Sequence, residues 1–295
     1  MSGLKAIRRR LSSVKNTKQI TRAMKLVSAA KLKRAQEAAV GGRKFSVKMA
    51  EVLNSAISQL PENVSHPLTE VRPVKRKAYV VFSGERGLCG GYNTNIAKAA
   101  QNSHLASGTE NVFFVVGKRA ESAANRLSWD LKKAYTGFSE NPATWPLNEL
   151  GSQLVSLYEN KEVDEVVMIY TKFITTMNLE VTEERLLPFS FAKSASGQET
   201  SEAVVDASLK KIKVEPSAEE VFSSLLPVVL KTKLFQSAFE AKACEHAARM
   251  TAMDSATRNA DELTEKLLLF YNRARQRAIT AELLDILGGA EAQKS

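Results

Sequence analysis

Residues 228–287 read VVLKTKLFQSAFEAKACEHAARMTAMDSATRNADELTEKLLLFYNRARQRAITAELLDIL, with neither proline nor glycine among them. Apolar or small residues recur every three or four positions: Leu230, Leu234, Ala238, Ala241, Cys244, Ala248, Ala252, Ala256, Ala260, Leu263, Leu267, Phe270, Ala274 and Ala278. That spacing gathers them on one stripe of a single helix. At 1.5 Å per residue the helix would reach ~90 Å, longer than the core of a compact domain of this size, so it is expected to project and to need a partner along its seam. The middle of the seam, Ala238 to Ala260, is nearly all alanine. Small residues let two helix axes approach to about 8 Å.

The partner is expected at the other end of the chain. Leu4, Ile7, Leu11 and Val14 form a stripe that Ile20, Met24 and Val27 continue, followed by Ala38, Phe45, Met49, Val52, Ala56 and Leu60. Gly41-Gly42 weaken this helix by about 1 kcal/mol each relative to alanine, and a bend or tight packing is expected there instead of a break. Two long helices at opposite ends of one chain predict an antiparallel coiled coil.

The middle of the chain changes pattern. Three prolines punctuate residues 61–76, and then short apolar runs alternate with helical stretches. Strands are expected at Ala78–Phe82, Val112–Val116, Leu131–Tyr135 and Val166–Tyr170, with helices at Thr94–His104, Lys118–Leu127 and around Leu147–Leu157. The alternation of Met177, Leu179 and Val181 with polar neighbours suits a half-exposed strand, so a parallel α/β sheet with an antiparallel edge is predicted. Residues 191–216 read as a polar linker. Ser217 and Glu220 fit a capping box, and Pro227 should kink or restart the helix. The organisation expected is a helix over 1–60, an α/β domain over 75–190, a linker over 191–216 and a helix over 217–295.

Charge is unevenly placed. Of 42 basic residues, eleven fall between Lys5 and Arg34, before the first acid at Glu37, while the remainder of the chain is nearly neutral. An acidic partner or nucleic acid is expected near the N-terminus. Against nucleic acid, no aromatic residue precedes Phe45, so only charge would act. No apolar run is long enough to span a membrane. MSGLKAIRRR lacks the apolar core of a secretory signal. Cys89 and Cys244 show no metal or redox spacing, which fits a reducing compartment. The turn Gly84–Gly91 lies between a strand and a helix, where phosphates bind in many α/β folds, but it has neither GK[ST] nor GxGxxG. No catalytic set stands out, and no metal or cofactor is expected.

Four separated motifs carry a resemblance: Ile279–Ala292 (ITAELLDILGGAEA), Ala248–Thr257 (ARMTAMDSAT), Ile7–Gln36 with Ser13–Thr17 and Ala23-Met24, and Arg86–Gly91 (RGLCGG). Together the chain resembles the gamma subunit of F-type ATP synthases along essentially its whole length. The resemblance implies an α/β fold in which a long antiparallel coiled coil of both termini flanks a Rossmann-like central domain. It implies a non-catalytic central-stalk rotor that turns inside a hexamer of three α and three β subunits. One copy per complex would also bind an epsilon subunit and a c-subunit ring, with no nucleic acid. Contact or coupling positions implied by the family are Met24, Lys25, Cys89, Arg249, Arg275, Gln276, Thr280, Glu282 and Asp285, and Leu283, Leu284, Ile286 and Leu287 are implied to form an apolar bearing tip. Localisation would be peripheral, on the cytoplasmic face of a bacterial inner membrane. From the residues alone, a basic coiled coil that binds nucleic acid and a nucleotide switch in the α/β domain stay open as alternatives.

Overall fold

A computed structural model describes residues 2–60, 66–189 and 217–292. The chain begins with helix α1 (Ser2–Ser58) and ends with α5 (Ala218–Ala292). Between them lie β1 (Arg76–Phe82), α2 (Tyr92–Ser107), β2 (Glu110–Val116), α3 (Lys118–Arg126), β3 (Leu131–Tyr135), α4 (Leu147–Glu159), β4 (Glu165–Phe173) and β5 (Leu179–Leu187). Contacts divide the chain into two compact units. One holds 1–29 with 249–295, the other 30–248.

In the larger unit the strands run in the order β3-β2-β1-β4-β5. The first four are mutually parallel and β5 pairs antiparallel with β4, as the alternating pattern of its residues predicted. Successive side chains of a strand face opposite ways. Tyr79, Val81, Phe113, Val115, Val167 and Ile169 therefore pack with α2 and α3 through Tyr92, Ile96, Ala100, Ala120 and Ala124. The alternate set, Ala78, Val80, Phe82, Phe114, Val116, Val166 and Met168, packs with Leu147, Leu150, Leu154 and Tyr158 of α4. Phe222, Leu226, Leu230, Leu234, Ala238 and Ala241 of α5 join this second core, with Leu53 from α1.

Ser217 accepts a hydrogen bond from the Glu220 backbone N–H at 3.2 Å, the forward half of the capping box. Pro227 does not restart the helix, because α5 runs through it unbroken. Leu226 and Leu230, both fully buried, hold the turn on either side against the core, so tertiary packing outweighs the missing N–H. Likewise α1 continues through Gly41-Gly42. A Cβ at Gly42 would stand 3.0 Å from Gln236 Oε1, so α1 and α5 approach closely there. The expected linker 191–216 lies outside the described residues.

In the smaller unit the two helices are antiparallel. Lys18 pairs with Asp261, Thr257 Oγ1 donates to Thr21 Oγ1 at 2.8 Å, and Lys25 Nζ donates to Asp254 Oδ1 at 2.5 Å, so partners descend along α5 as they ascend along α1. The least exposed positions of α1 in this unit are 4, 7, 11, 14, 18, 21, 25 and 28, and those of α5 include 253, 257, 260, 264, 267, 271, 274 and 278. Both follow the alternating three-and-four spacing of a coiled-coil seam. This corrects part of the sequence reading. Ile20 and Val27 lie outside the seam, 60% and 55% exposed, while Lys18, Thr21, Lys25 and Ser28 occupy it. On α5, Leu263 and Phe270 are exposed and Thr264 and Tyr271 stand in their places. In the larger unit Phe45 is exposed too, and Ala39, Gly42 and Ser46 carry the stripe to Met49, which keeps its expected place.

Candidate partner interface

The constant offset of the cross-helix pairs places the start of α1 opposite about residue 277 of α5, by extension of the same register. Beyond that level α5 has no partner helix among the described residues of its unit. Ile279, Leu283, Leu284, Ile286 and Leu287 are between 48% and 67% exposed there. Five large apolar side chains on an unaccompanied helical stretch form a contiguous surface of the kind that marks an interaction site. Glu282 is exposed on the same stretch, and Arg275 and Gln276 are exposed just before it. Thr280 is exposed and its hydroxyl donates to the Gln276 carbonyl at 3.0 Å. The side chain of Asp285 lies outside the described residues.

A second group of the family-implied positions falls lower on the helix pair. Met24 is half-buried beside the seam, Lys25 is tied to Asp254, and Arg249 is 9% exposed. Twenty-six residues separate Arg249 from Arg275, ~39 Å of helix at 1.5 Å per residue, so these positions form two levels and not one patch. The Asp254 carboxyl is held below its ordinary range, first by the Lys25 hydrogen bond and then by the charges of Lys25 and Arg258. Lys18 and Lys25 have acidic partners in Asp261 and Asp254. Lys5, Arg8, Arg9, Arg10, Lys15 and Arg22 remain exposed.

Cys89 belongs to neither level. It lies in the larger unit, 2% exposed, where Asn93 Nδ2 approaches its sulfur at 3.0 Å. Cys244 is also buried, its thiol donates to the Thr171 carbonyl at 3.2 Å, and burial followed by the Glu240 charge pushes its pKa up. Both thiols are packing groups in the core under α2.

The C-terminal edge of the parallel strands is where folds of this kind hold nucleotides. Here α5 occupies it. The Tyr92 hydroxyl donates to the Ala241 carbonyl at 2.9 Å. A Cβ on Gly84 would lie 3.2 Å from the carboxyl carbon of Glu245, so an anionic side chain stands against the turn that would cradle a phosphate. The Gly84–Gly91 turn thus closes on the chain's own helix. Residues 240–247 of α5 are buried on every face, so alanine here serves contacts all round and not one stripe. Among them lie Lys242, Glu245 and His246, none more than 5% exposed. Sequence reasoning passed over these charges, although KACEH in an alanine-rich helix was the available signal. Among the described residues no His/Cys/Asp/Glu group could hold a metal, and no helix is long and apolar enough to cross a membrane.

Comparison with known proteins is consistent along the whole chain. The family described as ATP synthase matches residues 3–293. The ATP synthase gamma chain of Desulfitobacterium hafniense is 39% identical over 293 residues, covering 99% of each chain. That of Desulforamulus reducens is 40% identical over 292 residues, again covering 99% of each. Among solved structures, the Euglena gracilis mitochondrial ATP synthase (OSCP/F1/c-ring, rotational state 3) contains a chain that superposes with a TM-score of 0.67 at 19% identity, covering 99% of this chain and 95% of that one. A chain of the Tetrahymena thermophila central stalk/c-ring structure gives 0.60 at 23% identity, covering 80% and 99%. At these identities the structural likeness establishes the fold.

Proposed function

The chain belongs to the ATP synthase gamma-chain family, and on that premise we propose that it is the rotor of the central stalk, coupling transmembrane proton flow to ATP synthesis and hydrolysis. It works without catalytic groups of its own. The ATP chemistry belongs to β subunits in a hexamer of three α and three β, within which the coiled coil turns as one copy per complex. The α/β unit joins an epsilon subunit and the c-subunit ring, which keeps the chain peripheral on the cytoplasmic face of a bacterial inner membrane.

The observation that carries this reading is the overhang of α5, where Leu283, Leu284, Ile286 and Leu287 are all more than half exposed. Covering an apolar end with a partner removes it from water, and an apolar sleeve gives non-directional contact that survives rotation, which fixed ion pairs would not. The exposed cations from Lys5 to Arg22 suit acidic loops around the shaft. Contact and coupling are assigned to the two levels: Met24, Lys25 and Arg249, then Arg275, Gln276, Thr280, Glu282 and Asp285. Burial of the Cys89 thiol gives that residue an indirect part, through the shape of its loop.

The test is to mix the purified chain with α and β subunits, isolate complexes by size and assay ATP hydrolysis. One copy per three α and three β, with altered turnover, is expected. Absence of any complex with authentic partners would overturn the reading.

A further inference from the structure

Two loops at the C-terminal edge of the sheet close on α5, and they are joined to each other. The turn after β1 meets Glu245 at Gly84. The loop after β3 presents Glu140, whose carboxylate takes Lys31 Nζ of α1 at 2.9 Å and Lys242 Nζ and His246 Nε2 of α5 at 3.3 Å each. Glu85 of the first loop accepts a hydrogen bond from the Gly137 backbone N–H of the second at 3.0 Å.

The second loop is built to hold its acid still. Trp145 Nε1 donates to the Ser139 carbonyl at 3.0 Å, the Phe138 and Trp145 rings lie 5.5 Å apart, and Asn141 Oδ1 accepts from the Ala143 N–H at 3.1 Å. The side chains that Glu140 meets on α5 are only 6% and 5% exposed. Lys242 also has Glu245 at 3.0 Å within its own helix. That pair lies within α5, whereas Glu140 reaches Lys242 from the sheet's edge. Glu140 connects α1, α5 and the sheet's edge through one group.

We propose that Glu140 is the positioning residue that locks the Lys31 turn of α1 and the Lys242–His246 turn of α5 to the α/β body, so that twist applied to those turns is carried by the sheet without slip. This inference rests on the rotor reading. The edge that a nucleotide would fill in a related sheet is here a socket for a charged helix.

Two measurements on full-length chains decide it. First, amide hydrogen exchange on the free chain should be about tenfold faster over 137–141 in Glu140→Gln than in the parent, the size expected for losing charge-assisted bonds at a half-exposed site. Lys31→Met should show part of that rise, and adding it to Glu140→Gln should give less than the sum. Second, a bead is attached through Lys132→Cys on the α/β body of the assembled complex, with the hexamer fixed to a surface. Glu140→Gln should broaden the angular spread of the bead during pauses while leaving ATP turnover unchanged, and Glu140→Asp should restore part of the parent's spread. Unchanged exchange overturns the lock. Faster exchange with an unchanged angular spread overturns its part in carrying twist. A parent complex that assembles but does not turn the bead removes the rotor reading and the torque claim with it, while the exchange result still decides whether the lock exists.

Discussion

Lys242 has 6% of its side chain exposed, and a buried ammonium must be met by carboxylates. Glu140 supplies one of them from a loop that is itself half in water. Burial alone would raise its pKa. The hydrogen bond from Lys31 and the charges of Lys242, Lys31 and His246 outweigh that and hold it at about 2. In the unfolded chain the same carboxyl takes up its proton near 4.5, so the unfolded state binds the proton first as pH falls. The stabilisation from Glu140 is therefore complete above pH 4.5 and lost as pH falls toward 2. Urea midpoints of the parent and of Glu140→Gln should differ at pH 5 and converge below 4.5. A gap that widens with acid would contradict the cluster. Gly117 is a second residue whose identity is set by its surroundings. Its φ is +104°, and a Cβ there would lie 2.4 Å from the Ser83 carbonyl oxygen, whose neighbouring hydroxyl accepts the Ala120 N–H at the start of α3. Gly117→Ala should cost at least ~1–3 kcal/mol in urea unfolding, from the disfavoured backbone before any shift of Ser83 is counted.

At the scale of elements, the sequence showed what each segment is more clearly than which way it faces. Runs such as Ala78–Phe82 and Val166–Tyr170 have few other uses than buried parallel strands, and the structure lengthens them to Arg76–Phe82 and Glu165–Phe173. The alternation in 177–182 marked the antiparallel edge for the same physical reason. The seam of the smaller unit was less legible. Counting apolar residues alone leads from Val14 to Ile20 and Val27, whereas the helix pair keeps to its three-and-four spacing by placing Lys18, Thr21 and Lys25 against Asp261, Thr257 and Asp254. Those polar residues belong to the seam only because their partners lie more than 200 positions away, and one sequence does not show such pairing. The same holds for Glu140 with Lys31, 109 positions apart. Of the proposed interface, the apolar tip came from the family resemblance, and its four residues are exposed. The burial of Cys89 and Arg249 depends on packing and was not legible. A direct check contrasts two apolar residues of similar size. Ile20→Ser, at an exposed site, should change the free chain's stability by less than ~0.5 kcal/mol. Leu230→Ala, at a fully buried site in the core shared by α4 and α5, should cost ~2–5 kcal/mol. Equal costs in urea titrations would mean that Ile20 is covered in the free chain.

For the molecule as a whole, the question is what its exposed apolar surface is for. Leu283, Leu284, Ile286 and Leu287 are 55%, 63%, 67% and 64% exposed, and α5 continues past them to Ala292. No contact within the described residues accounts for their chemistry. Leaving them in water forgoes roughly 1 kcal/mol per side chain, taking about half of the 1.5–3 kcal/mol that full burial of such a residue yields. A sleeve that covers all four would recover several kcal/mol, which corresponds to a change in affinity of a hundredfold or more. Replacing the four together by serine should therefore leave the melting temperature of the free chain within a degree or two of the parent. The same change should weaken its capture by the α and β subunits by at least tenfold, read from the fraction of chain that co-elutes with them at limiting concentration. The tenfold floor is set below the area figure because the lower level around Met24 and the cations from Lys5 to Arg22 would still hold the shaft. If the quadruple variant melts far below the parent, the tip is packed within the chain and not offered to a partner. If it melts normally and binds the hexamer as tightly as before, the apolar end is no bearing, and the basic helix face must carry the association; in that case binding should fall steeply with added salt.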